Sequence, residues 1–179
     1  MRRRLQLTAL VAVIAVLGIV AAAVATGGGR KISERLSGYQ ETPLTLSTTG
    51  HGKFNATISR FDDRIDYRLS YADLEGSVTQ AHIHLGQRAT TGGISVFLCT
   101  NLGNGPAGTQ ACPAAPATIT GTIKPADVIG PAGQGIGPGE FDEFMDALEA
   151  GVTYVNVHSD KYPGGEIRAQ IDADRRGGH

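Results

Sequence analysis

Beyond residue 50, apolar and polar residues alternate with a period of two over most of the chain. Phe54, Ala56 and Ile58 alternate with Lys53, Asn55 and Thr57, and Asp62 and Asp63 mark a turn. Ile65, Tyr67, Leu69 and Tyr71 then alternate with Arg64, Asp66, Arg68 and Ser70. Successive strand side chains point to opposite faces, so this pattern predicts half-buried strands, and the runs 54–59 and 64–71 are close enough to form a hairpin. Further strands are expected at 79–85, 94–99, 118–123, 153–158 and 166–171. One segment has helical spacing instead: Phe141, Phe144, Met145 and Leu148 recur over 140–150, acidic residues crowd the first turn, and Gly151 follows. That predicts a core-packing helix, and a shorter helical turn is expected around 126–129. Seven or eight short strands with glycine-rich turns predict an all-β fold, an antiparallel Greek-key sandwich or barrel with one short helix near the C-terminal strands.

The first 26 residues break the pattern. Arg2, Arg3 and Arg4 precede an uncharged apolar run over residues 5–25, and Ala23-Val24-Ala25 is a small-x-small cleavage candidate. A basic start before an apolar run is an export signal. The run is also long enough to span a bilayer, which takes ~20 apolar residues. Residues 1–26 are therefore expected to be a signal peptide or an uncleaved membrane anchor, and either places the rest outside the cytoplasm, secreted or at the cell surface. Residues 27–31 read as a linker and 173–179 as a tail. The chain has 179 residues, 18% charged and 41% hydrophobic, which excludes a disordered chain. Formal net charge is -1, and 13 of the 16 basic residues remain against 17 acidic ones once the N-terminal arginines are set aside. A nucleic-acid partner is not expected from this balance. Membrane contact is expected only through the N-terminal segment, if it is uncleaved.

Export gives the two cysteines a meaning. Cys99 and Cys112 flank twelve Gly- and Ala-rich residues without periodicity, which read as a floppy excursion. A disulfide between them is expected in an oxidising compartment, contributing ~3 kcal/mol by restricting the unfolded chain. Metal ligation by the thiols lacks both CxxC spacing and a nearby His.

The segment with most chemistry is Ala81-His82-Ile83-His84-Leu85-Gly86. On a strand, His82 and His84 project from one face, with Cα atoms ~6.6 Å apart. His158 ends another strand. If the two strands are neighbours, three imidazoles meet, and three His ligands with an open position suit zinc or copper. The alternative is a structural role in which the imidazoles hydrogen-bond to backbone and to Glu166. Arg168 is a candidate for orienting an anion or a carboxylate. The sequence lacks a G-x-S-x-G elbow, an H-E-x-x-H helix and a P-loop. With no complete catalytic set, the reading leans away from an enzyme.

Several segments taken in order resemble the CHRD domain, named for its occurrence in the secreted antagonist chordin and found in many bacterial exported proteins. They are Leu36-Ser37-Gly38-Tyr39-Gln40-Glu41-Thr42-Pro43, Gly50-His51-Gly52, the H-x-H run, Tyr154-Val155-Asn156-Val157-His158-Ser159, and Tyr162-Pro163-Gly164-Gly165-Glu166-Ile167-Arg168-Ala169-Gln170-Ile171. The resemblance covers the segment read as the domain, 32–172. Family members often carry Gly where this chain has Ala169, and the Cys99–Cys112 excursion reads as an insertion. The resemblance implies an extracellular β-sandwich module and no particular reaction. A more distant similarity is to copper,zinc superoxide dismutases, which pair an H-x-H strand with a later V-H strand. His82, His84 and His158 match three of that family's four copper ligands in order, while the bridging and zinc-loop histidines have no match. Three functions follow as expectations. The first is a non-enzymatic exported module binding an extracellular protein, glycan or surface component. The second is a three-histidine copper or zinc protein, and the third a purely structural surface domain.

Overall fold

The computed structural model describes residues 29–173. The expected signal or anchor, and most of the expected tail, lie outside the described residues. Eight strands and one helix follow one another as β1 (Arg30–Ser37), β2 (His51–Ile58), β3 (Ile65–Ala72), β4 (Val78–Leu85), β5 (Ile94–Thr100), β6 (Ala117–Ile123), α1 (Phe141–Glu149), β7 (Thr153–Ser159) and β8 (Ile167–Ile171). A single antiparallel sheet runs in the order β5-β4-β7-β8-β1-β2-β3-β6 and curls into a nearly closed barrel. The expected all-β fold and the 54–71 hairpin are present, with Phe54 opposite Leu69 and Ala56 opposite Tyr67. β1 begins at Arg30, inside the segment read as a linker. Among the described residues, no helix is long and apolar enough to cross a membrane.

The inward rows of β1, β2 and β3 (Ile32 and Leu36; Phe54, Ala56 and Ile58; Ile65, Leu69 and Tyr71) form one core with Ile83, Val155, Val157 and Ile167. The helix adds Phe141, Phe144, Met145 and Leu148 to the same core, the four residues its spacing picked out.

The barrel's two edge strands, β5 and β6, meet without a ladder. The seam is closed by the segment between them. The Gln110 amide donates to the carbonyl of Leu98 on β5 (3.0 Å) and to that of Thr120 on β6 (3.3 Å). The Tyr67 hydroxyl donates to the same Leu98 carbonyl, and Thr100 N–H donates to the Gln110 carbonyl. Cys99 and Cys112 are disulfide-bonded, Cα–Cα 5.1 Å. The Asn101 side chain exchanges two hydrogen bonds with the Cys112 backbone. The excursion read as floppy is thus a stitched strap: its glycines bend it, while its Asn and Gln side chains supply partners that apolar periodicity cannot reveal.

The two halves of the barrel differ on their outer side. β1, β2 and β3 alternate buried and exposed, whereas every residue of β7 and β8 is buried. Loops cover the outer face of β4, β7 and β8, and the site lies beneath them.

Candidate metal centre

β4 and β7 are antiparallel neighbours, with His82 opposite Asn156, His84 opposite Tyr154 and Gln80 opposite His158. Ala81, Ile83, Val155 and Val157 take the core side. The other side carries His82 and His84 from β4, Tyr154, Asn156 and His158 from β7, and Arg168 and Gln170 from β8, and all seven are buried. Burying polar groups is costly unless each finds a partner, so this layer outside the apolar core marks a candidate site.

The three histidines come together. One ring nitrogen from each lies within 4.8 Å of the other two. Donors around one ion with ~2.0 Å bonds at a tetrahedral angle stand about 3.3 Å apart, so the group has to contract by on the order of an ångström to hold one.

The hydrogen bonds define the tautomers. His84 Nδ1–H donates to the Gly92 carbonyl (3.0 Å) and His158 Nδ1–H to the Pro163 carbonyl (2.8 Å). In the neutral rings both Nε2 atoms therefore carry lone pairs. His82 Nδ1 lies 3.1 Å from His158 Nε2 and donates to it, leaving the His82 Nε2 lone pair free. The Nε2 atoms of His82 and His84 are buried without a hydrogen-bond partner. Burial holds all three imidazoles neutral. It lowers His84 to about 4, against the opposing Gly92 hydrogen bond, and pushes His82 and His158 down as well. A neutral imidazole anchored through one nitrogen to a carbonyl, with the other nitrogen unused, is the form that ligates a metal.

Aromatic rings and a cation fix these positions. Phe97 of β5 meets His82 edge-on, centroids 4.4 Å apart, and Tyr154 stacks on His84 at 4.7 Å, parallel to within 1°. The Arg168 guanidinium lies 3.5 Å from the Tyr154 ring centroid. Its N–H groups go to Thr42 Oγ1 and to the carbonyls of Thr90 and Gln87, so Arg168 ties two covering loops to the layer. Glu166 is engaged elsewhere: its Oε1 accepts from Thr48 Oγ1 and from Glu75 N–H. His51 stands apart, exposed, beside Asp73.

The family model of the CHRD domain matches residues 32–171, nearly the whole described chain. The chain belongs to the CHRD family. Neither a curated protein nor a solved structure matches it.

Sequence reasoning passed over several groups in this CHRD domain's polar layer. The Asn156 side-chain amide lies 3.1 Å from His158 Nε2, where that nitrogen's lone pair requires the amide to present an N–H. Tyr154, Asn156 and His158 alternate with Val155 and Val157, a signal that was readable but usually means a solvated face. Glu41 has no periodic signal. It is buried, its Oε1 has no hydrogen-bond partner, and burial raises its carboxyl to about 7 against the opposing field of Arg168. Glu41, Thr42, Arg88, Arg168 and Gln170 line an opening of about 310 Å³ beside the layer.

Proposed function

We propose that this CHRD domain, in an exported protein, holds one copper or zinc ion on His82, His84 and His158. The observation that carries the reading is the pair of buried, partnerless Nε2 atoms within a group whose tautomers are set by backbone carbonyls. Unsatisfied buried polar atoms are costly in a native fold, and an ion is the partner that three converging lone pairs suit. Binding at His158 Nε2 would displace the hydrogen bond that this nitrogen accepts from His82 Nδ1. Three-nitrogen donor sets take zinc and copper and leave a position for a further ligand. Neither a reaction nor a partner follows from this centre; the role supported is that of a binding module. Export is supported by Arg2–Arg4 ahead of the apolar run and by the Cys99–Cys112 bond. Mass spectrometry of the native protein reads cleavage directly.

Titration of the metal-free full chain with Cu(II) and Zn(II) tests the proposal. One equivalent is expected to bind, His84→Ala to weaken binding sharply, and His51→Ala to leave it unchanged. Absence of binding in the parent, or equal loss in both variants, overturns it and leaves the imidazoles as hydrogen-bonding ties between β4 and β7.

A further inference from the structure

The uncovered half of the barrel carries a second feature, independent of the metal reading. Cross-strand register places Arg35 of β1 directly opposite Lys53 of β2, and Lys53 opposite Ser70 of β3. Arg68 stands two residues along β3, diagonal to Lys53. All three cations are exposed on the outer row. Like charges directly opposite on a sheet destabilise it, so the fold alone gives no reason for an Arg35–Lys53 pair.

Neighbouring cations are treated differently. Arg30 pairs with Asp62 and Glu149, and Arg64 with Asp63 and Asp66. Among the described residues, no carboxylate lies within ion-pair distance of Arg35, Lys53 or Arg68. Around Arg35 and Lys53 stand Ser33, Asn55, Ser70 and Thr118, the last accepting from Arg68 Nη2 at 3.5 Å, while Asp66, two residues from Arg68 on the same row, is engaged by Arg64 and Thr122. An open groove of about 810 Å³ runs across the same strands, bordered by Arg35, Lys53 and Ser70 and floored in part by apolar residues such as Leu36, Pro116 and Ala117. The patch is positive in a chain whose acidic residues outnumber its basic ones.

We infer that this face binds a linear acidic polysaccharide, sulfated or uronate-bearing, through Arg35, Lys53 and Arg68. The cations stand on three successive strands, ~4.8 Å apart per strand, and so present a row of positive charge that suits a polymer with repeated anionic groups. Hydroxyl and amide side chains between the cations match sugar hydroxyls. The outer rows of these strands present no Phe, Tyr or Trp ring, since Tyr67 and Tyr71 are buried, and their one aromatic side chain is the small imidazole of His51 beside Asp73. The exposed large apolar residues Tyr39, Leu44, Phe61 and Leu102 all lie off these strands.

Heparin is the probe, titrated into the full 179-residue chain at low salt. Binding is expected, weakening steeply with added NaCl as released counterions dictate. The R35E/K53E double variant is expected to bind on the order of tenfold more weakly or worse, while R60E/K124E, an equal charge change elsewhere on the surface, retains parental affinity. R68Q is expected to fall between them, and a thermal melt of each variant establishes that it is folded. No heparin binding by the parent, or equal loss in both double variants, overturns the inference. So does tighter binding of a 20-base-pair DNA duplex, or of vesicles containing phosphatidylglycerol, that is lost in R35E/K53E.

Discussion

Glu41 and Gly165 show how closely the polar layer is fitted. Gly165 has φ +131°, and a Cβ there would lie 2.6 Å from Glu41 Oε1 and 2.8 Å from Asn156 Nδ2. Both the backbone conformation and the space require glycine, so Gly165→Ala is expected to destabilise by about 1–3 kcal/mol, read by denaturant unfolding. The Glu41 carboxyl is raised from 4.5 to about 7. The folded state therefore favours the protonated acid. That contribution is complete below pH 4.5 and is lost as pH rises through 7, amounting to no more than roughly 3 kcal/mol. The buried imidazoles have the opposite sign: their lowered values mean that stability is lost as pH falls below the ordinary 6.5. Subtracting the unfolding free energy of Glu41→Gln from that of the parent at each pH isolates the carboxyl. The difference should decline between pH 4.5 and 7, and a flat difference would show that Glu41 ionises normally.

Among the elements, the strap between β5 and β6 makes the clearest demand. Its disulfide closes a short loop, so Cys112→Ser is expected to cost about 3 kcal/mol, a fall in Tm of roughly 6–12 °C for a domain of this size. Metal binding should be nearly unchanged, because the bond lies outside the histidine group. Gln110→Ala leaves the Leu98 carbonyl with Tyr67 alone, and hydrogen exchange should rise first in β5 and β6. Strand existence was legible where one face is wet. The 54–71 hairpin could be placed from its alternation, and the H-x-H spacing put two imidazoles on one side of β4. β1 was less legible because Glu34 sits on its inward row and breaks the pattern. The polar rows of β7 and β8 were visible as alternation, but their burial was not. It depends on loops that reach them from residues 38–49 and 86–93, and no local spacing encodes which face a distant loop will cover.

For the molecule as a whole, a bound ion should act as a ligand of the native state alone. Zn(II) or Cu(II) at a hundredfold excess over Kd is expected to add about 2.7 kcal/mol to the unfolding free energy. Calorimetry should show the higher melting temperature, with reversal by a chelator and no response in His84→Ala. An unshifted melt in the parent would contradict the three-histidine reading.

The seam also decides how safely the chain behaves among its own copies. An unpaired strand edge is a template on which a second chain can add its own strand, and this barrel has two such edges. They face each other without pairing and are covered by one Gln-bearing segment that Cys99 and Cys112 fasten. In a reducing compartment that fastening is absent, and β5 and β6 become available together. Such a molecule is expected to propagate edge to edge more readily than the oxidised one. Export of the kind proposed above, with oxidation after translocation, would then protect against aggregation. The same polypeptide retained in a reducing cytoplasm is expected to sediment as polymers, and the oxidised protein as a discrete species.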